Sequence, residues 1–218
     1  MFINIHSHYP PATGEWTIQS LWTDFGKTTT PGQYSVGIHP WYIHTSHWEN
    51  QLELLQETSQ NPNVLAIGEC GLDKACDVPF SLQERVFAVQ VDWANKIGKP
   101  LIIHCVRAWE EVLHVLHQQG NKVPVVFHGF NKNLPMAQKI IGQGYYLSFG
   151  RSLEQPGKRK ILSELPADKI LLETDDTLVS IRMVYEWAAD ALSIDHNSLV
   201  LQMQKNAAAV FGAAAIQL

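Results

Sequence analysis

Short apolar runs that alternate with helix-length stretches constrain this chain more than any other feature. The runs are FINIH (2–6), YSVGIH (34–39), VLAIGE (64–69), PLIIHC (100–105), VPVVFHG (123–129), YYLSFG (145–150) and KILLETD (169–175). A weaker one is EWTIQSL (15–21). Most are apolar throughout rather than alternating, which marks parallel strands covered on both faces. Between them, SHWENQLELL and SLQERVFAVQVDWANKIG read as helices. Ser46 with Glu49 and Ser81 with Glu84 have capping-box spacing, and Gly98 is a C-terminal stop. Further helical patterns cover 108–118, 134–142, 157–164, 179–192 and 196–211. Strand–helix alternation of this length predicts an α/β protein, a (β/α)8 TIM-type barrel. A doubly wound open sheet is the alternative, but the sequence has no GxGxxG fingerprint or Walker loop to support it.

One part of the wall is short. Only residues 9–14 separate His8 from Glu15, whereas a helical crossover between parallel strands needs about a dozen residues. Glu15–Leu21 is therefore expected to run antiparallel to the first strand or to leave the barrel irregular there. PPATG (10–14) has the residues for a tight reversal. The rim beside His6 and His8 should then be open, with Trp16 or Trp22 covering it.

Composition bounds the rest. The 218 residues suit a single domain, 1–218, and the 45% hydrophobic and 17% charged content suits a folded chain. There is no apolar run of about 18 residues for a membrane span and no basic-then-apolar leader. Three cysteines (Cys70, Cys76 and Cys105) suit a reducing cytoplasm better than a disulfide framework. A soluble, cytoplasmic monomer is expected. The net charge is −5 without a long basic run, so a nucleic-acid substrate must be gripped locally rather than by a basic face.

The strand ends carry the chemistry. The first strand ends at His6-x-His8, whose side chains share one face because strands repeat every two residues. The others end at Glu69, His104, His128 and Asp175. In a parallel barrel those ends share one rim, where active sites are built. Any one of these residues alone is explained by a hydrogen bond at a loop start. Together, four imidazoles and two carboxylates point to a metal centre.

The motifs NIHSH (4–8), GIHP (37–40), AIGECGLD (66–73), LIIHC (101–105), VVFHGF (125–130), LLETD (171–175) and KNAAAVFG (205–212) occur in the order of the TatD family. The sequence resembles those metal-dependent hydrolases of the amidohydrolase-like barrels almost end to end. The resemblance implies an enzyme with two divalent ions, Zn, Mn or Mg. His6, His8 and Asp175 would hold one, His104 and His128 the other, with Glu69 bridging. It implies Glu69 and Asp175 as the catalytic carboxylates, and DNA or a nucleotide as substrate, often attacked at a 3′ end. The sequence departs from the family at Asn4, where Asp is usual and where weaker support behind a ligand is expected. It also departs in HCVRA (104–108) and TDDT (174–177), and in shortened segments after His8 and after Thr177.

His39, Lys74, Arg107 and Arg151 follow rim strands and are candidate substrate contacts, each weighed against a plain turn or loop role. Trp16, Trp22 and Trp41 have the surface to stack on a base, although packing accounts for them equally simply. His114 and His117 are expected to face solvent on an outer helix. Cys70 and Cys105 read as small buried fillers. Two rivals to a nuclease remain: a small-molecule amide, lactone or phosphoester hydrolase on the same barrel, and a non-catalytic metal-binding partner protein.

Overall fold

A computed structural model describes residues 1–216. Its strands are β1 (Phe2–Ser7), β2 (Glu15–Leu21), β3 (Gln33–Val36), β4 (Val64–Asp73), β5 (Leu101–Val106), β6 (Val125–Phe127), β7 (Tyr146–Phe149) and β8 (Ile170–Leu172). Its helices are α1 (Trp48–Thr58), α2 (Phe80–Ile97), α3 (Trp109–Gln118), α4 (Leu134–Gly142), α5 (Pro156–Ser163), α6 (Ile181–Leu192), α7 (His196–Phe211) and the short α8 (Ala213–Ile216). The strands follow chain order, β1 to β8, in one eight-stranded sheet. The ladders β1–β2, β3–β4, β4–β5, β6–β7 and β7–β8 are all parallel. This is the (β/α)8 pattern expected from the alternation. The chain divides into two compact units, Met1–Gln19 with Val126–Leu218, and Ser20–Val125.

In the first unit, β1 has β2 on one side and reaches β8 on the other through a bridge between Ser7 and Asp175. Phe2 pairs with Glu15 and Asn4 with Thr17, in parallel, and the register shifts before Ser7 meets Gln19. The antiparallel expectation is therefore wrong, whereas the irregular register and the missing helix are as expected. The physical reason is reach. The six residues of β1 span about 17 Å, and the seven residues from 8 to 14, when extended, cover up to about 24 Å. The chain returns as an extended segment that needs no helix. Gly14 completes the return, its carbonyl accepting from Phe2 N at 3.1 Å and its φ of 84° lying in the left-handed region.

Trp16 does not cover a rim. It is 6% exposed, and its indole N–H donates to the Ala215 carbonyl at 3.0 Å beside Phe211. Tyr185 of α6, fully buried, accepts from Ile3 N at 3.0 Å and donates to Ile3 O at 3.1 Å, tying the helix to β1. Tyr185→Phe strands both backbone groups and is expected to cost about 1–3 kcal/mol, read by denaturant unfolding.

In the second unit, α2 packs on β4, and Gln90, fully buried, brackets Ile38 by accepting from its N–H and donating to its carbonyl. Glycine permits close strand approach at the end of β4. A Cβ on Gly71 would lie 2.0 Å from the His104 carbonyl oxygen. Helix starts differ from the capping boxes. His47 and Pro79 stand at the N-caps of α1 and α2, neither with a side-chain cap. Ser46 lies before α1, and Ser81 is already inside α2, where its hydroxyl is past the capping position. Gly98 ends α2 in the left-handed conformation, as expected.

Candidate metal centre

In the first unit, the His6-x-His8 spacing does what a strand period of two requires. Both Nε2 atoms face one oxygen, Asp175 Oδ1, at 3.4 and 3.3 Å. Asp175 is held there by backbone. Its N–H donates to His6 O at 3.0 Å, and its carbonyl accepts from His8 N at 3.0 Å. Its φ is 56°, a left-handed conformation that Asp tolerates better than most residues and that the surrounding bonds enforce. Burial alone would raise the Asp175 carboxyl. The imidazoles of His6 and His8 outweigh it and hold the group well below the usual carboxylate range.

His128 joins this cluster. Its ring centroid lies 4.4 Å from that of His6, and its Nδ1 is 3.4 Å from Glu173 Oε1. Glu173 is fully buried, and the same oxygen accepts from Gly129 N at 2.7 Å. Asn4 uses both ends of its amide on Thr174. Its Nδ2 donates to Thr174 Oγ1 at 2.9 Å, and its Oδ1 accepts from Thr174 N at 3.1 Å. An ionised Asp can only accept. Asn4 thus braces the residue beside Asp175 rather than leaving it loose.

In the second unit, Glu69 Oε2 lies 3.6 Å from both His39 Nε2 and His104 Nδ1, and Glu69 is 4% exposed. The two imidazoles play different parts. His39 Nδ1 accepts from Trp41 N at 3.1 Å, so the hydrogen-bond pattern assigns the proton of neutral His39 to Nε2. His39 presents an N–H. His104 is turned the other way. Its Nε2 meets Asp73 Oδ2 at 3.2 Å and its Nδ1 faces Glu69 Oε2 at 3.6 Å, so the tautomer that donates Nε2–H to Asp73 turns the Nδ1 lone pair toward Glu69. A carboxylate behind an imidazole is how a metal-binding histidine is oriented.

Asp73 is itself fixed. Trp41 Nε1 donates to its Oδ2 at 2.5 Å, Ala75 N to its Oδ1 at 2.6 Å, and Gln83 Nε2 to its carbonyl at 3.0 Å. Burial would raise the Asp73 carboxyl, but the bonds from Trp41, Ala75 and His104 lower it on balance. Asp73→Asn is expected to weaken divalent-metal affinity about 10–100-fold, read by calorimetric titration, with the fold retained.

The donor set fits a divalent ion in chemistry and spacing. Imidazole and carboxylate together suit Zn²⁺ or Mn²⁺. Two ligands each about 2.1 Å from one cation at a tetrahedral angle stand about 3.4 Å apart. The His6–Asp175, His8–Asp175 and His104–Glu69 separations, 3.3–3.6 Å, are of that size and longer than good hydrogen bonds.

The other candidates fare unevenly. His39 joins the Glu69–His104 cluster. Lys74 is paired with Glu111 and lies over the Phe80 ring, 5.3 Å from its centroid. Arg151 is exposed and 3.6 Å from Glu154. Arg107, exposed with a φ of 54°, follows β5. His114 and His117 are exposed on α3. Cys70 is fully buried, and burial pushes its thiol far up, as a filler should be, while Cys105 is half-buried. Asp73 and Glu173 lie outside the ligand set expected from the sequence. Their signal in the sequence was position alone, four residues after Glu69 and two before Asp175.

The family model for TatD related DNases matches residues 23–212. The chain belongs to this family. Among the relatives it matches, an uncharacterized metal-dependent hydrolase of Bacillus subtilis, YabD, is 34% identical over 146 residues, covering 65% of this chain and 57% of that protein. The Escherichia coli K12 protein named 3′-5′ ssDNA/RNA exonuclease TatD is 33% identical over 152 residues, covering 65% and 56%. The matches span a little over half the length of these relatives. The crystal structure of YJJV, a TatD homolog from Escherichia coli K12, superposes with a TM-score of 0.84 at 22% identity, covering 96% of this chain and 97% of that one. A TatD family hydrolase from Entamoeba histolytica gives 0.80 at 15% identity, covering 97% and 98%. The chain shares their fold, the TIM-type TatD fold. Among the described residues, no helix is long and apolar enough to cross a membrane.

Proposed function

We propose that the chain acts as one metal-dependent phosphodiesterase domain, hydrolysing nucleic acid from single-stranded ends with two divalent ions. One observation carries this reading: His104 is held between two carboxylates, its Nε2 3.2 Å from Asp73 Oδ2 and its Nδ1 3.6 Å from Glu69 Oε2. His6, His8 and Asp175 would hold one ion, and His104 and His128 the other, with Glu69 bridging. Such ions, Zn²⁺, Mn²⁺ or Mg²⁺, supply charge to a phosphodiester oxygen and acidify an attacking water.

The chain's own groups do the rest. Asp175, whose carboxyl His6 and His8 hold low, has lone pairs enough to ligate and to take the proton of a water that a bound ion would make acidic. His39 offers its Nε2–H to a non-bridging phosphate oxygen. Membership in a family described as DNases, and relatives named ssDNA/RNA exonucleases, support the substrate class. The free cysteines support a reducing cytoplasm.

The test is a panel of end-labelled single strands, duplex, an aryl phosphodiester, an amide and a lactone, each with Mg²⁺, Mn²⁺ or Zn²⁺. Metal-dependent shortening of single strands, faster than of duplex, is expected. Turnover of a small ester or amide with every nucleic acid ignored would replace this reading with a small-molecule hydrolase. No turnover at all would leave a metal-binding protein.

A further inference from the structure

Two large aromatic side chains stand in water beside the His39–Glu69–His104 cluster. Trp41 is 52% exposed and Tyr42 43% exposed, whereas Trp16 and Trp109 are 6% and 8% exposed. Single exposed aromatics are common, but these are mounted. The Trp41 indole is bonded through Nε1 to Asp73, a residue 1% exposed and gripped in turn by Gln83 of α2. The Tyr42 backbone is tied by Gln51, whose amide donates to the Tyr42 carbonyl at 2.9 Å and accepts from His44 N at 2.8 Å. A ring held this rigidly loses little freedom on meeting a ligand.

The rings are also ordered in space. The Trp41 centroid lies 5.0 Å from that of His39 and 5.8 Å from that of His104. Tyr42 follows at 6.4 Å from Trp41, and Trp22 at 5.8 Å from Tyr42, nearly parallel to it at 13°. Trp22 then forms one wall of a cavity of about 230 Å³ lined also by Phe25, Ile38, Gln51 and Leu54. Aromatic rings thus lead step by step from the candidate metal ligand His104 to an apolar hollow.

We propose that Trp41, Tyr42 and Trp22 form a stacking ledge for the unpaired bases of a nucleic-acid end held at His39 and His104. The proposal rests on the phosphodiesterase reading and names how that substrate is gripped. The chain carries a net charge of −5, and the nearby Lys74 is already paired with Glu111, which leaves Arg107, exposed just after β5, as the cation closest in sequence to His104. Base–aromatic stacking needs no cation, and it accepts every base because each has a π face. A duplex hides those faces in its own stack, so the ledge also selects single strands.

The test uses the full chain with Mn²⁺ and compares a short oligothymidylate with the same strand carrying abasic sites at its end. Trp41→Leu removes the ring, whereas Trp41→Phe keeps a ring and loses only the bond to Asp73. We expect KM for the thymidylate to rise about ten-fold or more in Trp41→Leu, with a smaller change in kcat, and far less in Trp41→Phe. The abasic strand should carry the same KM penalty with the wild type and no added penalty with Trp41→Leu. Equal KM for both strands with the wild type would overturn the ledge alone. So would matching losses in Trp41→Leu and Trp41→Phe, which would assign Trp41 to holding Asp73. A wild type that hydrolyses no oligonucleotide would overturn the phosphodiesterase reading and the ledge with it.

Discussion

Asp175→Asn is expected to lower hydrolysis by about 10³-fold or more while leaving the fold intact. The side chain keeps its shape, and the backbone bonds between Asp175 and β1 do not involve it. What disappears is the charge that faces His6 and His8 at 3.4 and 3.3 Å, together with the basicity to accept a proton. Circular dichroism and thermal unfolding check the fold, and turnover of an end-labelled single strand checks the chemistry. His114→Ala, on the exposed face of α3, is the matched control and should retain wild-type turnover. An Asp175→Asn variant with wild-type rates would remove that carboxylate from the mechanism.

Glu69→Gln is the second large effect. Glu69 is nearly buried and faces both His104 Nδ1 and His39 Nε2 at 3.6 Å, with Ser20 Oγ at 3.4 Å from its other oxygen. Neutralising it removes a charge that faces both imidazoles. Loss of activity should exceed the roughly 10–100-fold expected of an outer partner such as Asp73. Metal titration should show the same variant binding fewer ions than the wild type. Unchanged metal uptake would take Glu69 out of the ligand set.

Much of this was legible in the residues because period and position are local properties. Apolar runs of strand length gave the strands their places, and α4 and α7 begin and end where the pattern put them. The clustering of His6 and His8 follows from an i, i+2 spacing on one strand. What was missed depended on three dimensions. The direction of β2 turned on whether residues 8–14 return extended or reverse, and both fit the same PPATG. Ser46 and Ser81 matched capping boxes, but His47 and Pro79 stand at the N-caps. Asp73 and Glu173 looked like ordinary strand-end polar residues until His104 and His128 were seen against them. Trp41 could not be separated from a core tryptophan by sequence, since its exposure and its bond to Asp73 arise only in the fold.

The most direct measurement is the number of divalent ions the chain holds. The purified protein, stripped with chelator and titrated calorimetrically with Mn²⁺ or Zn²⁺, should take up two ions per chain. Restored hydrolysis should track that uptake. A chain that binds no divalent ion, or that cleaves its substrate at an undiminished rate in excess chelator, would contradict the account at its centre.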